Sequence, residues 1–95
     1  MISLKNKNIF IAGGSGYLGS VLCEEILKLE GNIFLADQDI KRSKLVIKKL
    51  QKKYPKSKII FSHLNMIEPE SISKNIKLAY QKFKYIDGLV NATFG

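Results

Sequence analysis

The run Ile9-Phe10-Ile11-Ala12-Gly13-Gly14-Ser15-Gly16-Tyr17-Leu18-Gly19 constrains this chain more than any other stretch. A short apolar segment, too brief for a helix and rich in β-branched residues, breaks into glycines and then resumes with helical spacing. It therefore reads as strand, tight turn and helix. Glycines suit such a junction because a side chain there would hold a pyrophosphate away from the backbone, and because the helix must start close against the strand. The first N–H groups of that helix have no partner within it, and the helix dipole adds to their attraction for an anion. Two registers fit: Gly14, Gly16 and Gly19 give G-x-G-x-x-G, whereas Gly13, Gly16 and Gly19 give G-x-x-G-x-x-G. Either match alone is weak, and a structural turn without a ligand is the alternative. The flanking strand and helix, with an acidic residue at the end of the next strand, favour a nucleotide-phosphate loop.

The 95 residues allow one domain at most, with a thin core. A hydrophobic content of 45% beside 25% charged residues is ordinary for a soluble chain. No apolar stretch approaches the roughly 20 residues of a membrane span. Met1-Ile2-Ser3-Leu4-Lys5 lacks the apolar segment of a signal peptide, so the expected setting is cytoplasmic. Cys23 is the only cysteine and falls inside a predicted helix, and His63 is the only histidine; neither a disulfide nor a metal cluster is expected.

A net charge of +8 raises the question of a nucleic-acid partner. Nine of the sixteen basic residues lie between Lys41 and Lys58, and Lys41, Lys44, Lys48 and Lys52 share one helical face, opposite Ile40, Ile47 and Leu50. That is the pattern of a solvated outer face. One arginine in sixteen, with no aromatic residue interleaved from Lys41 to Lys53, argues against nucleic-acid binding.

In order, the first strand spans Asn8 to Ala12, and Leu18, Val21, Leu22, Ile26 and Leu29 mark the buried side of the first helix. Gly31-Asn32 ends it. Asn32-Ile33-Phe34-Leu35-Ala36 is a second strand, continuously apolar as a strand covered on both faces would be, and ends at Asp37. The lysine-rich helix follows, closed by Pro55. Lys58 to Ser62 makes a third strand, and Pro69 opens a third helix with the stripe Ile72, Ile76, Ala79, Tyr80 and Phe83. Tyr85 to Asn91 leads into a fourth strand. The resulting βαβαβαβ alternation calls for an α/β, doubly wound parallel sheet in the order 3-2-1-4, with a nucleotide above the carboxyl ends at the switch between strands 1 and 4.

Four places converge there: the glycine loop, Asp37, Asn65-Met66 and Asn91-Ala92. Asp37 stands 24 residues after Gly13 and 18 after Gly19, near the spacing of a carboxylate that accepts the adenosine ribose hydroxyls. A carboxylate there repels a 2′-phosphate, and the next residue is Gln38, so NAD is favoured over NADP; Lys41 and Arg42 would serve the opposite preference. A plain helix cap is the bland alternative for Asp37.

Ala12-Gly13-Gly14-Ser15-Gly16-Tyr17-Leu18-Gly19, Ala36-Asp37, Leu64-Asn65-Met66 and Ile86-Asp87-Gly88-Leu89-Val90-Asn91-Ala92, in that order, resemble the N-terminal half of a short-chain dehydrogenase/reductase. The resemblance covers essentially the whole chain and implies a partial Rossmann-type NAD(P)-binding domain over residues 1–95. It implies that Gly13 and Gly19 are the turn and packing glycines, that Ser15, Gly16, Tyr17 and Leu18 surround the pyrophosphate, and that Asp37 and Gln38 meet the adenosine ribose. Asn65 and Met66 would sit beside the adenine, and Asn91 and Ala92 near the nicotinamide-side ribose. Three departures stand out. Tyr17 replaces a usual glycine, as in the extended branch, while the middle of the chain looks like the shorter branch, a mixture similar to dehydrogenases of flagellin or surface-polysaccharide modification. Asn65 replaces the usual Asp, although its carbonyl oxygen could still meet an adenine amino group. Asn91-Ala92-Thr93-Phe94-Gly95 lacks the family's double Asn.

The family's catalytic Ser and Tyr-x-x-x-Lys come after the fourth strand, so no catalytic residue is expected here. Tyr80 and Lys84 match the Tyr-x-x-x-Lys spacing, but Tyr80 belongs to the expected buried stripe of the third helix. The chain is thus expected to be the cofactor-binding part of an NAD(H)-dependent oxidoreductase, truncated and inactive alone. Its open fourth-strand edge would meet the missing half, a partner chain or a second copy. A self-standing nucleotide-binding regulatory or docking module is the alternative.

Overall fold

The computed structural model describes residues 2–93, so Phe94 and Gly95 of the last motif lie outside the described residues. Seven elements alternate: β1 (Asn8–Ala12), α1 (Tyr17–Lys28), β2 (Asn32–Asp37), α2 (Ile40–Lys53), β3 (Ile59–His63), α3 (Pro69–Phe83) and β4 (Gly88–Asn91). The strands form one parallel sheet in the order β3-β2-β1-β4, as expected. Ile11 pairs with Leu35 on one side and Val90 on the other, which makes β1 and β2 the interior strands.

Strand side chains alternate faces, and both faces of the interior strands are apolar. Ile11, Ile33 and Leu35 pack with Cys23 and Leu27 of α1 and Ile47 and Leu50 of α2. Phe10, Ala12, Phe34 and Ala36 pack with Ala79 and Phe83 of α3. Phe34 stacks on Phe10 at 5.3 Å between centroids and meets Phe83 edge-on at 6.3 Å. Two helices on one face and one on the other follow from right-handed crossovers run in opposite directions from β1.

The inward face of each helix differs from the expected stripe in part. In α1 the buried residues are Gly19, Cys23 and Leu27, while Leu18 and Val21 are more than 40% exposed. Gly19 must face the glycine loop, and Cys23 and Leu27 follow it at steps of four. In α2, Ser43 is buried beside Ile47 and Leu50, and Ile40 is exposed. In α3, Asn75 is buried with Ala79 and Phe83, whereas Tyr80 is half exposed, not part of the buried stripe. Asn75 Nδ2 donates to the carbonyl oxygens of His63 and Ser71, tying α3 to the exit of β3.

α1 and α2 are also joined by polar contacts. The Tyr54 hydroxyl donates to Glu24 Oε2, and Lys53 Nζ lies 3.2 Å from the same oxygen. The Tyr54 bond, and after it Lys53, holds the Glu24 carboxyl below its usual range. The same bond, with burial and the charges of Glu24 and Glu25, pushes the Tyr54 hydroxyl up to about 12. The carboxylate's contribution is present above pH 4.5 and is lost as pH falls through its lowered value. The phenol's is present below pH 10 and is lost as pH rises through about 12. Tyr54→Phe should therefore lower Tm across the neutral range, with the gap to the parent chain closing toward both extremes. A gap that stays constant with pH would show that the bond carries no linked protons.

α3 ends on Lys84, whose backbone is left-handed at φ 72° while its N–H donates to the Tyr80 carbonyl. A side chain costs about 1 kcal/mol in that conformation, and glycine relieves it. Lys84→Gly should raise the urea midpoint by about 1 kcal/mol of unfolding free energy, an outcome that an unchanged midpoint would contradict.

Candidate functional site

The carboxyl ends of β1, β2 and β4 open onto a cleft of about 710 Å³. Its floor is the glycine loop, and the geometry selects between the two registers. Gly13 has φ 79°, and a Cβ there would stand 2.8 Å from Thr93 Cγ2 and 2.9 Å from the Thr93 nitrogen. A Cβ on Gly19 would lie 2.2 Å from the Gly13 carbonyl oxygen and 2.6 Å from Gly14 Cα. Gly14 faces inward instead, where a Cβ would meet Leu35. The cleft is lined by Gly13 and Gly16, with Gly19 packed beneath, so the G-x-x-G-x-x-G spacing is the one whose first two glycines reach the cleft.

Gly16 is the N-cap of α1 and provides no side-chain cap. The first N–H groups of α1 therefore have no side-chain cap, and the positive end of the helix dipole stands at the cleft. Cys23 supports the loop from below, its thiol directed at the Gly14 carbonyl at 3.8 Å. Burial pushes that thiol up to about 12, which suits a packing residue and not a nucleophile.

Asp37 ends β2 and is 5% exposed. Its Oδ2 accepts from the Ser15 backbone N–H at 3.1 Å, and its Oδ1 accepts from the Asp39 N–H at 2.8 Å. The cap of α2 is Asp39, which accepts from the Arg42 N–H at 2.9 Å. Arg42 then reaches back across the cleft, Nε donating to Ser15 Oγ at 3.1 Å and Nη1 lying 3.8 Å from Asp39 Oδ2. Asp37, Ser15, Arg42 and Asp39 thus form a closed ring that couples the glycine loop to the start of α2.

Of the residues singled out from sequence, Gly13, Gly16, Tyr17, Leu18, Asp37, Gln38, Met66 and Ala92 line the cleft together. Ser15 and Gly19 lie just behind it, Ser15 at 4% exposure. Asn65 and Asn91 each turn to the residue two positions on. Asn65 Oδ1, the expected acceptor for an adenine amino group, accepts from the Ile67 N–H at 3.0 Å. Asn91 Oδ1 accepts from the Thr93 N–H and hydroxyl. Asp39, Arg42, Leu64 and Thr93 also line the cleft. Neither Tyr80 nor Lys84 does. Among the described residues no cluster of metal-binding side chains occurs, and no helix is long and apolar enough to cross a membrane.

A family model for the short chain dehydrogenases matches residues 7–93. The chain belongs to the short chain dehydrogenase family. The post-translational flagellin modification protein A of Campylobacter coli is 33% identical over 96% of this chain and 35% of its own length. Alcohol dehydrogenase 2 of Ceratitis capitata is 31% identical over 95% of this chain and 34% of its own. The chain therefore spans about a third of the length of these relatives.

Solved short chain dehydrogenase-like structures agree with the architecture. A Haemophilus influenza protein assigned as a D-mannonate oxidoreductase, solved with bound NAD, superimposes with a TM-score of 0.87 at 28% identity, over 99% of this chain and 33% of its own. An NADPH-dependent 3-quinuclidinone reductase from Rhodotorula rubra, at 24% identity and a TM-score of 0.84, matches 92% of this chain and 32% of its own, a likeness in fold alone.

Proposed function

We propose that the chain binds the adenosine and pyrophosphate portion of NAD(H) and forms the cofactor-binding part of a cytoplasmic oxidoreductase that interconverts a carbonyl and an alcohol. The observation that carries this reading is the ring joining Ser15 of the glycine loop to Asp37 at the end of β2, above an uncapped helix N-terminus. In it, the N–H groups at the start of α1 hold the pyrophosphate, with Gly13, Gly16 and Gly19 keeping side chains out of its way. Asp37 takes the ribose hydroxyls and Gln38 flanks it, which favours NAD over NADP. Met66 and Leu64 offer apolar contact to the adenine, with Asn65 shaping the turn between them and α3. Tyr17, Leu18, Asn91 and Ala92 border the path toward the nicotinamide.

The bound cofactor would supply or accept the hydride. Proton transfer belongs to residues outside these 95, brought by a further segment or by a partner chain at the free edge of β4, where Leu89 is 62% exposed. Equilibrium dialysis with NAD tests the binding step: one saturable site per chain is expected, and no saturable binding would overturn the reading. Supplying the remainder of the family fold, covalently or in trans, should give turnover that follows NADH absorbance.

A further inference from the structure

We propose that the outer face of α2 is a docking surface for an anionic phospholipid bilayer, on which five lysines meet lipid phosphates and Leu45 enters the headgroup layer. None of these six residues lines the cofactor cleft, so the proposal stands independently of the reading of that cleft. α2 has the sequence IKRSKLVIKKLQKK, with seven basic residues and no acidic one. Two of the seven are engaged: Arg42 pairs with Asp39 at 3.8 Å and Lys53 with Glu24 at 3.2 Å. Lys41, Lys44, Lys48, Lys49 and Lys52 are all exposed and, among the described residues, none of them is in an ion pair. Glu24 and Glu25 of α1 border the groove beside Lys49, but both are already paired, Glu24 with Tyr54 and Lys53 and Glu25 with Lys28. The lysine face therefore presents its positive charge outward without a counter-charge.

Leu45 decides the kind of partner. It is 66% exposed, and it stands four residues after Lys41 and three and four before Lys48 and Lys49, so lysines surround it on one helical face. The buried residues Ser43, Ile47 and Leu50 occupy the other side, against the sheet. A phosphodiester backbone takes charge and hydrogen bonds and gives a leucine nothing to bury against. This helix also has no aromatic residue to stack on a base, and its one arginine is engaged elsewhere. Lysine is depleted at protein–protein interfaces. A bilayer with anionic headgroups suits both parts of the face. Its negative surface potential attracts the lysines, whose alkyl stems let the ammonium groups reach the phosphates, and an apolar side chain among them is buried at the boundary of headgroups and acyl chains. From Lys41 to Lys52 the face runs about 16 Å along one helix, so a flat surface meets its lysines together.

The test is co-sedimentation of the 95-residue chain with vesicles of phosphatidylcholine and phosphatidylglycerol in equal parts, and with vesicles of phosphatidylcholine alone. Binding is expected to the mixed vesicles only, and it should weaken as salt is raised. Replacing Lys44, Lys48 and Lys52 together by Gln should weaken it by about a hundredfold. Leu45→Gln, which keeps every charge, should weaken it by about fivefold. Replacing the exposed Lys74, Lys77 and Lys82 of α3 by Gln removes the same net charge from the other side of the sheet and should leave binding within about threefold. All of these positions are exposed, and circular dichroism with urea unfolding establishes that each variant is folded. Equal weakening by the two triple variants would reduce the effect to net charge and overturn the assignment to α2. No binding to the mixed vesicles, or an unchanged affinity in Leu45→Gln, would overturn the bilayer as partner. Release of the chain from the vesicles by duplex DNA at equal phosphate concentration would overturn it in favour of a nucleic acid.

Discussion

Gly19→Ala is expected to remove nucleotide binding and to destabilise the chain by about 3 kcal/mol. The added methyl would lie 2.2 Å from the Gly13 carbonyl oxygen and under 3 Å from two backbone atoms of Gly14. Those are main-chain atoms at the turn that leaves β1, and no rotamer change can relieve the contact. Either α1 moves away from the sheet, uncovering Cys23 and Leu27, or the loop lifts and loses its shape. Against a total stability of about 5–15 kcal/mol for a small domain, that loss is large. Gly16→Ala is the matched control. Gly16 has φ −72°, and the nearest atom to a Cβ there is 3.7 Å away, so its cost should stay within about 1 kcal/mol. Urea unfolding of the two variants decides the point, and equal midpoints would contradict the packing role given to Gly19.

Asp37→Ala is expected to cost about 3 kcal/mol and to weaken NAD binding by at least about tenfold. The substitution leaves two backbone N–H groups, those of Ser15 and Asp39, without their acceptor, and the first of these is buried. The effect should be local and visible. Hydrogen exchange at the Ser15 and Asp39 amides should accelerate strongly, while the Phe34 and Leu35 amides, inside β2, keep their protection until global unfolding. Unchanged exchange at Ser15 would show that the carboxylate does not hold the glycine loop. Asp37→Asn keeps one acceptor oxygen and should lie between the parent and the alanine variant.

The fold was readable from local pattern because each element announces itself within a few residues. β1 and β2 are short apolar runs closed by Gly13 and Asp37, Pro69 marks the first turn of α3, and alternation with helices left few topologies open. The candidate site was readable to the extent that strand ends predict it. Gly13, Gly16, Asp37, Met66 and Ala92 do line one cleft although they span almost the whole chain.

What periodicity missed depends on contacts between distant residues. Leu18 and Val21 are as apolar as Cys23 and Leu27, and only the approach of Gly19 to the Gly13 carbonyl decides which pair faces inward. Ile40 and Tyr80 likewise carry apolar surface that a helical wheel assigns to the core, whereas the packed sheet has room there for Ser43 and Asn75. Arg42 reaches Ser15 across 27 positions, a contact that a count of lysine-rich helix residues cannot reveal. Asp37 illustrates both sides: its spacing from the glycines was legible, and the two hydrogen bonds it accepts, from the loop and from the start of α2, were not.

The most direct test of the account is an amide-resolved NMR titration of the 95-residue chain with NAD. Shifts are expected at Gly13, Ser15, Gly16, Asp37, Leu64, Met66 and Ala92, saturating together, with the lysine face of α2 at Lys44, Lys48 and Lys52 unmoved. Shifts confined to that lysine face, or shifts that never saturate, would contradict the assignment of the cleft as a dinucleotide site.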